Sequence, residues 1–86
     1  MSTESPQNLN ITARAPFHIY YEGPALAISA KNKVGTFDIL PGHADMFSVL
    51  EACDVAIETE NEPIVFAIQS GIITVRDNAV MLFVDV

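Results

Sequence analysis

His43 and Asp45 are two side chains with acid–base chemistry, and they lie close together near the middle of the sequence. Residues two apart on a β-strand share a face, so an imidazole and a carboxylate at this spacing could form an acid–base pair. A hydrolytic triad would also need a nucleophile, for which the candidates are Ser48, Ser70 and Cys53. None of these lies in a recognisable nucleophile motif. We therefore predict no catalytic residues, and expect His43 to bond with backbone groups at a turn and Asp45 to cap it or face solvent.

The sequence offers little to hold a metal or a cofactor. His18 and His43 are its two histidines, and neither an HxxxH spacing nor a CxxC pair accompanies them. The four glycines lie too far apart for a phosphate-binding loop. Segment 58–62 shares the acidity of a calcium-binding loop but lacks its ligand spacing, and Cys53 falls among apolar residues, as a core cysteine does. We predict no cofactor and no metal.

Charge and composition restrict the kind of partner. The 86 residues include 11 acidic and 4 basic ones, which gives a net charge of −7 and disfavours nucleic acid and anionic lipid as partners. The single cysteine cannot close an internal disulfide and suggests a reducing compartment. Residues 1–10 do not resemble a signal or transit peptide, and no apolar run reaches the ~18 residues of a membrane-spanning helix. We expect one small domain that binds another protein.

Alternating apolar and polar residues predict β-structure along most of the chain. After a polar segment, 1–8, which we expect to be a flexible tail, apolar residues alternate from Leu9 to Phe17, and Pro16 ends or borders the strand. Residues 22–24 predict a turn. Further strand patterns cover 18–21, 25–31, 37–40, 64–68, 72–75 and 79–86. Short strands at this spacing indicate an all-β sandwich or barrel.

Two other turns are marked by their residue types. Pro41-Gly42 predicts a tight, rigid corner directly before His43. Residues 76–78 include Asp and Asn, which tolerate left-handed backbone geometry. Segment 44–58, after the corner, fits two structures: its apolar residues recur at helical spacing, yet Cys53, Val55 and Ile57 also alternate as in a strand. The pattern by itself favours a helix.

The closing strand pattern, 79–86, is apolar on both faces. One face comprises Val80, Leu82, Val84 and Val86, and the other comprises Ala79, Met81 and Phe83. An antiparallel sheet that faces water is normally polar on its outer side. Either both faces are covered within the domain, or one of them awaits a partner.

Residues 35–50, GTFDILPGHADMFSVL, resemble the signature of the N-terminal β-sandwich domain of the ATP synthase epsilon subunit, called delta in mitochondria. FAIQSGIITV at 66–75 and the closing segment 78–85 match further parts of the family pattern, and the resemblance covers about residues 9–86. It implies a flattened antiparallel β-sandwich of about ten short strands. On this basis we predict two strands within 44–58, at about 45–50 and 53–58, rather than a helix.

The resemblance also implies a function. The chain would be a non-catalytic rotor subunit in the central stalk of an F-type proton-translocating ATP synthase, peripheral to the cytoplasmic face of the membrane, coupling ion flow to ATP synthesis. It would bind the gamma subunit through Pro41, Gly42, His43, Met81 and Phe83. It would approach the ring of c subunits through Lys31, Lys33, Gly35 and Thr36.

Several residues depart from the family pattern. Thr36 and Asp38 replace an acidic residue and a glycine, and Asp45 replaces a proline. The Pro-Gly pair of the family is missing at 51–53, and the sequence ends at Val86, where the family usually continues into an inhibitory helical hairpin. We therefore do not carry over the inhibitory role. The altered charge leaves an alternative: a stand-alone β-sandwich module, diverged from the stalk subunit, that binds a protein or a small ligand.

Overall fold

The structure, a computed structural model, describes residues 8–86, and nine β-strands account for most of them. The strands are β1 (Leu9–Ala15), β2 (His18–Ala25), β3 (Ala27–Asn32), β4 (Gly35–Ile39), β5 (Met46–Leu50), β6 (Cys53–Glu58), β7 (Ile64–Ile68), β8 (Ser70–Arg76) and β9 (Ala79–Asp85). No helix in this part of the chain is long and apolar enough to cross a lipid bilayer. The tail predicted at 1–8 lies outside the described residues, apart from Asn8.

The strands form two sheets that share one apolar core, and this β-sandwich confirms the predicted fold class. One sheet has five strands in the order β2-β1-β9-β8-β5, and the other has four in the order β4-β3-β6-β7. Neighbouring strands run antiparallel except β1 and β9, which pair in parallel. Strand β1 thus lies between β2, its antiparallel neighbour, and the last strand of the chain, and the nine strands agree with the predicted antiparallel sandwich of about ten.

The core lies between the sheets because the inward positions of the strands are apolar. In β9 burial alternates residue by residue, as the period-two pattern predicted. The largest fully buried side chains are Leu9, Ile11, Ile28, Ile39, Leu50, Val55, Ile57, Ile73, Val75 and Leu82. Every buried side chain among residues 8–86 is apolar. Tyr20 in β2 stacks on Phe66 in β7, with ring centroids 4.3 Å apart, and closes one side of the sandwich.

Two predictions near the N-terminal end of the domain were wrong. Phe17 is fully exposed rather than on the core face, because β1 ends at Ala15 and Phe17 lies in the turn to β2. The turn expected at 22–24 is instead part of β2, paired with residues 10–12 of β1. A proline is tolerated there because β2 is an edge strand. The chain changes sheet at Leu26, whose amide donates to the Glu58 carbonyl over 2.7 Å.

Segment 44–58 forms the two strands that the family resemblance implied, β5 and β6, and the helix favoured by local pattern is wrong. Strand β5 pairs with β8 along its length, while β6 pairs with both β3 and β7. Val49, part of the helical stripe, is 58% exposed on the outer face of its sheet. The apparent stripe arose because β5 carries large apolar residues on its outer face as well as in the core.

Candidate protein-binding site

The connections between strands lie at two ends of the sandwich. Loop 40–45, loop 59–63 and the β8–β9 turn at 77–78 share one end, which we call the corner end. The β1–β2 and β3–β4 turns lie at the other, which we call the opposite end. The strand directions therefore separate Pro41, Gly42 and His43 from the β3–β4 turn by the length of the sandwich.

The predicted corner at Pro41-Gly42 is a hydrogen-bonded turn. The His43 amide donates to the Leu40 carbonyl over 3.0 Å, with Pro41 and Gly42 at the two central positions. Gly42 has φ of 88°, the value that the second central residue of a type II turn requires and that glycine adopts without strain. Proline fixes φ at the first central position. These two residues alone are therefore enough to dictate the corner.

His43 and Asp45 do not form an acid–base pair with a nucleophile. The Nδ1 atom of His43 lies 2.7 Å from the carbonyl oxygen of Ala44, and Oδ1 of Asp45 accepts a hydrogen bond from the Asp77 amide over 2.9 Å. Both side chains thus bond to the backbone, as the non-catalytic interpretation predicted. Cys53 and Ser70 begin strands at the opposite end, and the Ser48 hydroxyl accepts from Asn32 instead.

Five large apolar side chains in the adjacent strands β5, β8 and β9 form one exposed group on the outer face of the five-stranded sheet, and we call them the apolar patch. They are Phe47 and Val49 in β5, Ile72 in β8, and Met81 and Phe83 in β9. Their exposed fractions range from 42% to 66%. The strand registers place Val49, Ile72 and Phe83 side by side across three strands, while Phe47 and Met81 flank Thr74 in the next row. Within residues 8–86, the second apolar face of β9 is uncovered.

Basic side chains border the apolar patch. Arg14 in β1 is in register with Phe83, and Arg76 in β8 is in register with Ala79. These are two of the four basic residues in the chain. A groove of about 620 Å³ between Arg14, Ile72 and Phe83 adjoins this border. An apolar surface with arginines at its rim suits a protein partner whose own apolar surface carries acidic or carbonyl groups at its edge.

The outer face of the four-stranded sheet has a different chemistry. It presents small side chains such as Ser29 and Ala56, which are in register, together with the exposed acidic residues Asp38, Asp54 and Glu58. Val65 is the large apolar side chain that the strands of this sheet expose on this face. Such a face is well solvated, so the apolar patch is the stronger candidate for a docking surface.

The β3–β4 turn, predicted to face the c ring, is held by Asn32. Its Oδ1 accepts hydrogen bonds from the amides of Val34 and Gly35, over 2.9 and 3.2 Å. Its Nδ2 donates to the Ser48 hydroxyl over 3.1 Å. Lys33 and Val34 form the tip, and Val34 is 95% exposed. The structure keeps Lys31, Lys33, Gly35 and Thr36 together at the opposite end, in strands β3 and β4 and the turn between them.

The structure divides the residues predicted to bind gamma into two groups. Pro41, Gly42 and His43 lie at the corner end, whereas Met81 and Phe83 lie on the outer face of the sheet. Sequence reasoning missed Phe47, Val49 and Ile72. For the two β5 residues the missed signal was outward alternation in segment 46–50, which the helical pattern obscured. Sequence reasoning also missed Asn32, whose position three residues before Gly35 is the available cue for a side-chain-capped turn.

Comparison with known proteins identifies the domain. Residues 8–86 match the model of the family described as ATP synthase, Delta/Epsilon chain, beta-sandwich domain. The chain belongs to this family. It is 31% identical over 67 residues to the ATP synthase epsilon chain of Streptomyces avermitilis, covering 77% of this chain and 54% of that one. It is 27% identical over 78 residues to that of Synechococcus elongatus, covering 91% and 57%.

Solved structures share the fold. A chain in the mitochondrial ATP synthase of Euglena gracilis (OSCP/F1/c-ring) superposes with a TM-score of 0.84 at 20% identity, covering 98% of this chain and 54% of that chain. A chain in the Tetrahymena thermophila mitochondrial ATP synthase (central stalk/c-ring) gives 0.79 at 21%, covering 96% and 67%. At these identities the structures establish the fold alone. The family match confirms the resemblance carried by residues 35–50, and the chain spans little more than half the length of its epsilon-chain relatives.

Proposed function

We propose that this chain is a non-catalytic subunit of the central stalk of an F-type, proton-translocating ATP synthase. In this role it turns with the rotor, binds the gamma subunit and the c ring, and couples ion flow to ATP synthesis while performing no chemistry itself. Its family membership supports the proposal. So does its likeness to a chain in a structure described as central stalk and c-ring. The chain would then be a peripheral component at the cytoplasmic face of the membrane.

The apolar patch is the observation that carries the proposal. Exposed apolar surface of this kind on a small domain marks a protein-binding site. We assign the gamma subunit to this face, with Met81 and Phe83 as contacts within the apolar patch. Pro41, Gly42 and His43 would extend the contact at the corner end, where backbone hydrogen bonds join the corner to the start of β9.

We assign the c ring to the opposite end. Lys31, Lys33, Gly35 and Thr36 surround the tip of the β3–β4 turn, and two of them carry half of the basic charge of an otherwise acidic chain. The two hydrogen bonds that Oδ1 of Asn32 accepts preorganise this turn, so little conformational entropy is lost when a partner docks. Two partners could then bind at once, one on a sheet face and one at a sandwich end.

Binding to the cognate gamma subunit is the direct test. We expect the 86-residue chain to bind it with a dissociation constant in the micromolar range or lower, measured by isothermal titration calorimetry. Met81→Asp should weaken this binding because it places a charge within the apolar patch. Val65→Asp is the matched control, since Val65 is also apolar and exposed but lies on the outer face of the other sheet.

Two results would contradict the proposal. Absence of wild-type binding at micromolar concentrations would remove the gamma subunit as a partner. Equal losses for Met81→Asp and Val65→Asp would show that the apolar patch is not the contact surface. For the c ring, reversing charge with Lys33→Glu should lower the amount of chain retained on purified rings, while Arg76→Glu, at the corner end, should leave it unchanged.

A further inference from the structure

Three separate parts of the chain meet at the corner end through hydrogen bonds, two of them between a backbone amide and a side chain and one between backbone groups. The Gly42 amide in loop 40–45 donates to Oδ1 of Asn78 in the β8–β9 turn, over 2.8 Å. The Asp77 amide in that turn donates to Oδ1 of Asp45 in the loop, over 2.9 Å. The Asn10 amide in β1 donates to the Asn78 carbonyl, over 2.8 Å.

The first two bonds are reciprocal: each segment offers one amide and one side-chain oxygen to the other. This arrangement depends on the β8–β9 turn, where Asp77 and Asn78 have φ of 51° and 68°. Two consecutive residues with positive φ form the tight hairpin turn that follows the twist of the strands. The geometry of the β8–β9 turn is therefore fixed, and the two hydrogen bonds hold loop 40–45 against it.

The hydrogen bonds within loop 40–45 are local ones. Its internal backbone bond joins His43 to Leu40, which shapes the corner but does not fix its direction relative to the sheet. Asn78 directly precedes β9, which carries Met81 and Phe83. The reciprocal bonds therefore connect the corner to the strand that supplies two of the five residues of the apolar patch.

We infer that Asp45 and Asn78 are positioning residues of the partner-binding site. They hold Pro41, Gly42 and His43 in one place beside the apolar patch, so that the corner and the sheet face form a single preorganised surface. Preorganisation improves affinity because less conformational freedom is lost on binding. The inference rests on the proposed function, since it assumes that this surface binds the gamma subunit.

Four variants of the 86-residue chain separate the hydrogen bonds from other effects. Asp45→Ala removes the acceptor for the Asp77 amide, whereas Asp45→Asn keeps an oxygen at the same place. Asn78→Gly removes the acceptor for Gly42 while tolerating positive φ, and Asn78→Asp keeps an acceptor there. Amide hydrogen exchange measured by NMR reports the bonds themselves, and calorimetric titration with gamma reports the binding, well below the unfolding temperature.

We expect Asp45→Ala to speed exchange of the Asp77 amide and Asn78→Gly to speed exchange of the Gly42 amide, each about tenfold or more. Both variants should bind the gamma subunit about tenfold more weakly. Asp45→Asn and Asn78→Asp should restore exchange protection and affinity. This rescue separates positioning from a general loss of stability, because all four variants are compared as folded proteins.

Three outcomes would overturn the inference. Unchanged exchange at Gly42 and Asp77 in the Ala and Gly variants would show that the bonds do not hold the corner. Faster exchange with unchanged gamma affinity would show that the bonds form but do not position the site, leaving the proposed function intact. Absence of wild-type binding would overturn the proposed function and the positioning role together, while the exchange rates would still show whether the corner is fastened.

Discussion

Leu82 and Phe83 are neighbours in β9 with opposite surroundings, so the same substitution at each should have different effects. Leu82 is fully buried in the core, and Phe83 is 51% exposed in the apolar patch. We predict that Phe83→Asp leaves the domain folded but impairs gamma binding. Leu82→Asp should unfold it. The pair tests which face of β9 is the core and whether the other face is an interface.

The expected magnitudes follow from burial. Complete burial of a large apolar side chain contributes about 1.5–3 kcal/mol, so removal of the half-buried Phe83 should lower the free energy of unfolding by about 1 kcal/mol. A carboxylate at the position of Leu82 would be buried without a partner, which costs several kcal/mol beyond the lost apolar burial. The free energy of unfolding of a small domain is about 5–15 kcal/mol, so only Leu82→Asp removes a large part of it.

We expect Phe83→Asp to change the free energy of gamma binding more than the free energy of unfolding. Gamma would lose the apolar contact with the exposed half of the ring and would have to desolvate a carboxylate at the interface. Together these should raise the dissociation constant by about 10- to 100-fold, which corresponds to about 1.4–2.8 kcal/mol. Phe83→Leu, which keeps the surface apolar, is the control and should bind within a few-fold of the wild-type chain.

Urea unfolding followed by far-ultraviolet circular dichroism suits this chain, because it contains no tryptophan for fluorescence. Gamma affinity is measured by calorimetry on the variants that fold. Unfolding of the Phe83→Asp chain would refute the assignment of Phe83 to the outer face. A folded Phe83→Asp chain that binds gamma like the wild type would refute the assignment of the apolar patch to the gamma interface.

Three further predictions concern stability and the turn at the opposite end. Gly71→Ala should destabilise the chain by about 1–3 kcal/mol in urea unfolding, because the added Cβ would lie 2.9 Å from the Phe83 carbonyl oxygen; a neutral effect would mean that the strands adjust freely. Asn32→Ala should speed hydrogen exchange in the β3–β4 turn and lower the amount of chain retained on c rings. Asn32→Asp keeps the acceptor and should therefore keep most of the exchange protection and most of the c-ring retention. Phe66→Ala should cost about 2–4 kcal/mol, since it removes the stack on Tyr20; Phe66→Tyr, as the matched control, should cost less than half as much, and equal losses would contradict a role for the stack.

Local sequence was sufficient wherever one strand face is polar or a turn has demanding geometry. Alternation located the inward residues of β1 from Leu9 to Ala15, because burial of one face requires apolar residues at every second position. Pro41-Gly42 fixed the type II turn, and the residue types at Asp77 and Asn78 indicated the positive φ values of the β8–β9 turn. The signature at 35–50 also pointed to the family that the comparison confirmed.

Other features depended on partners remote in sequence. Segment 46–50 resembled a helix because both of its faces carry apolar residues, and only pairing with β8 made it a strand. In β9 both faces are apolar as well, so the local pattern could not tell which one the core would cover. Packing against the second sheet decided in favour of Val80, Leu82 and Val84.

The role of Asp45 in the candidate site also depends on a residue that is remote in sequence. The sequence showed only that it departs from the family signature and that it would cap a turn or face solvent. Its acceptor role depends on Asp77, 32 residues away, and the bond between Gly42 and Asn78 spans 36 residues. Composition and periodicity therefore determined that the domain is β-structured and carries a surplus of apolar surface. Tertiary structure decided which surface remains exposed and how the corner is fastened beside it, because both depend on strand pairing between distant segments.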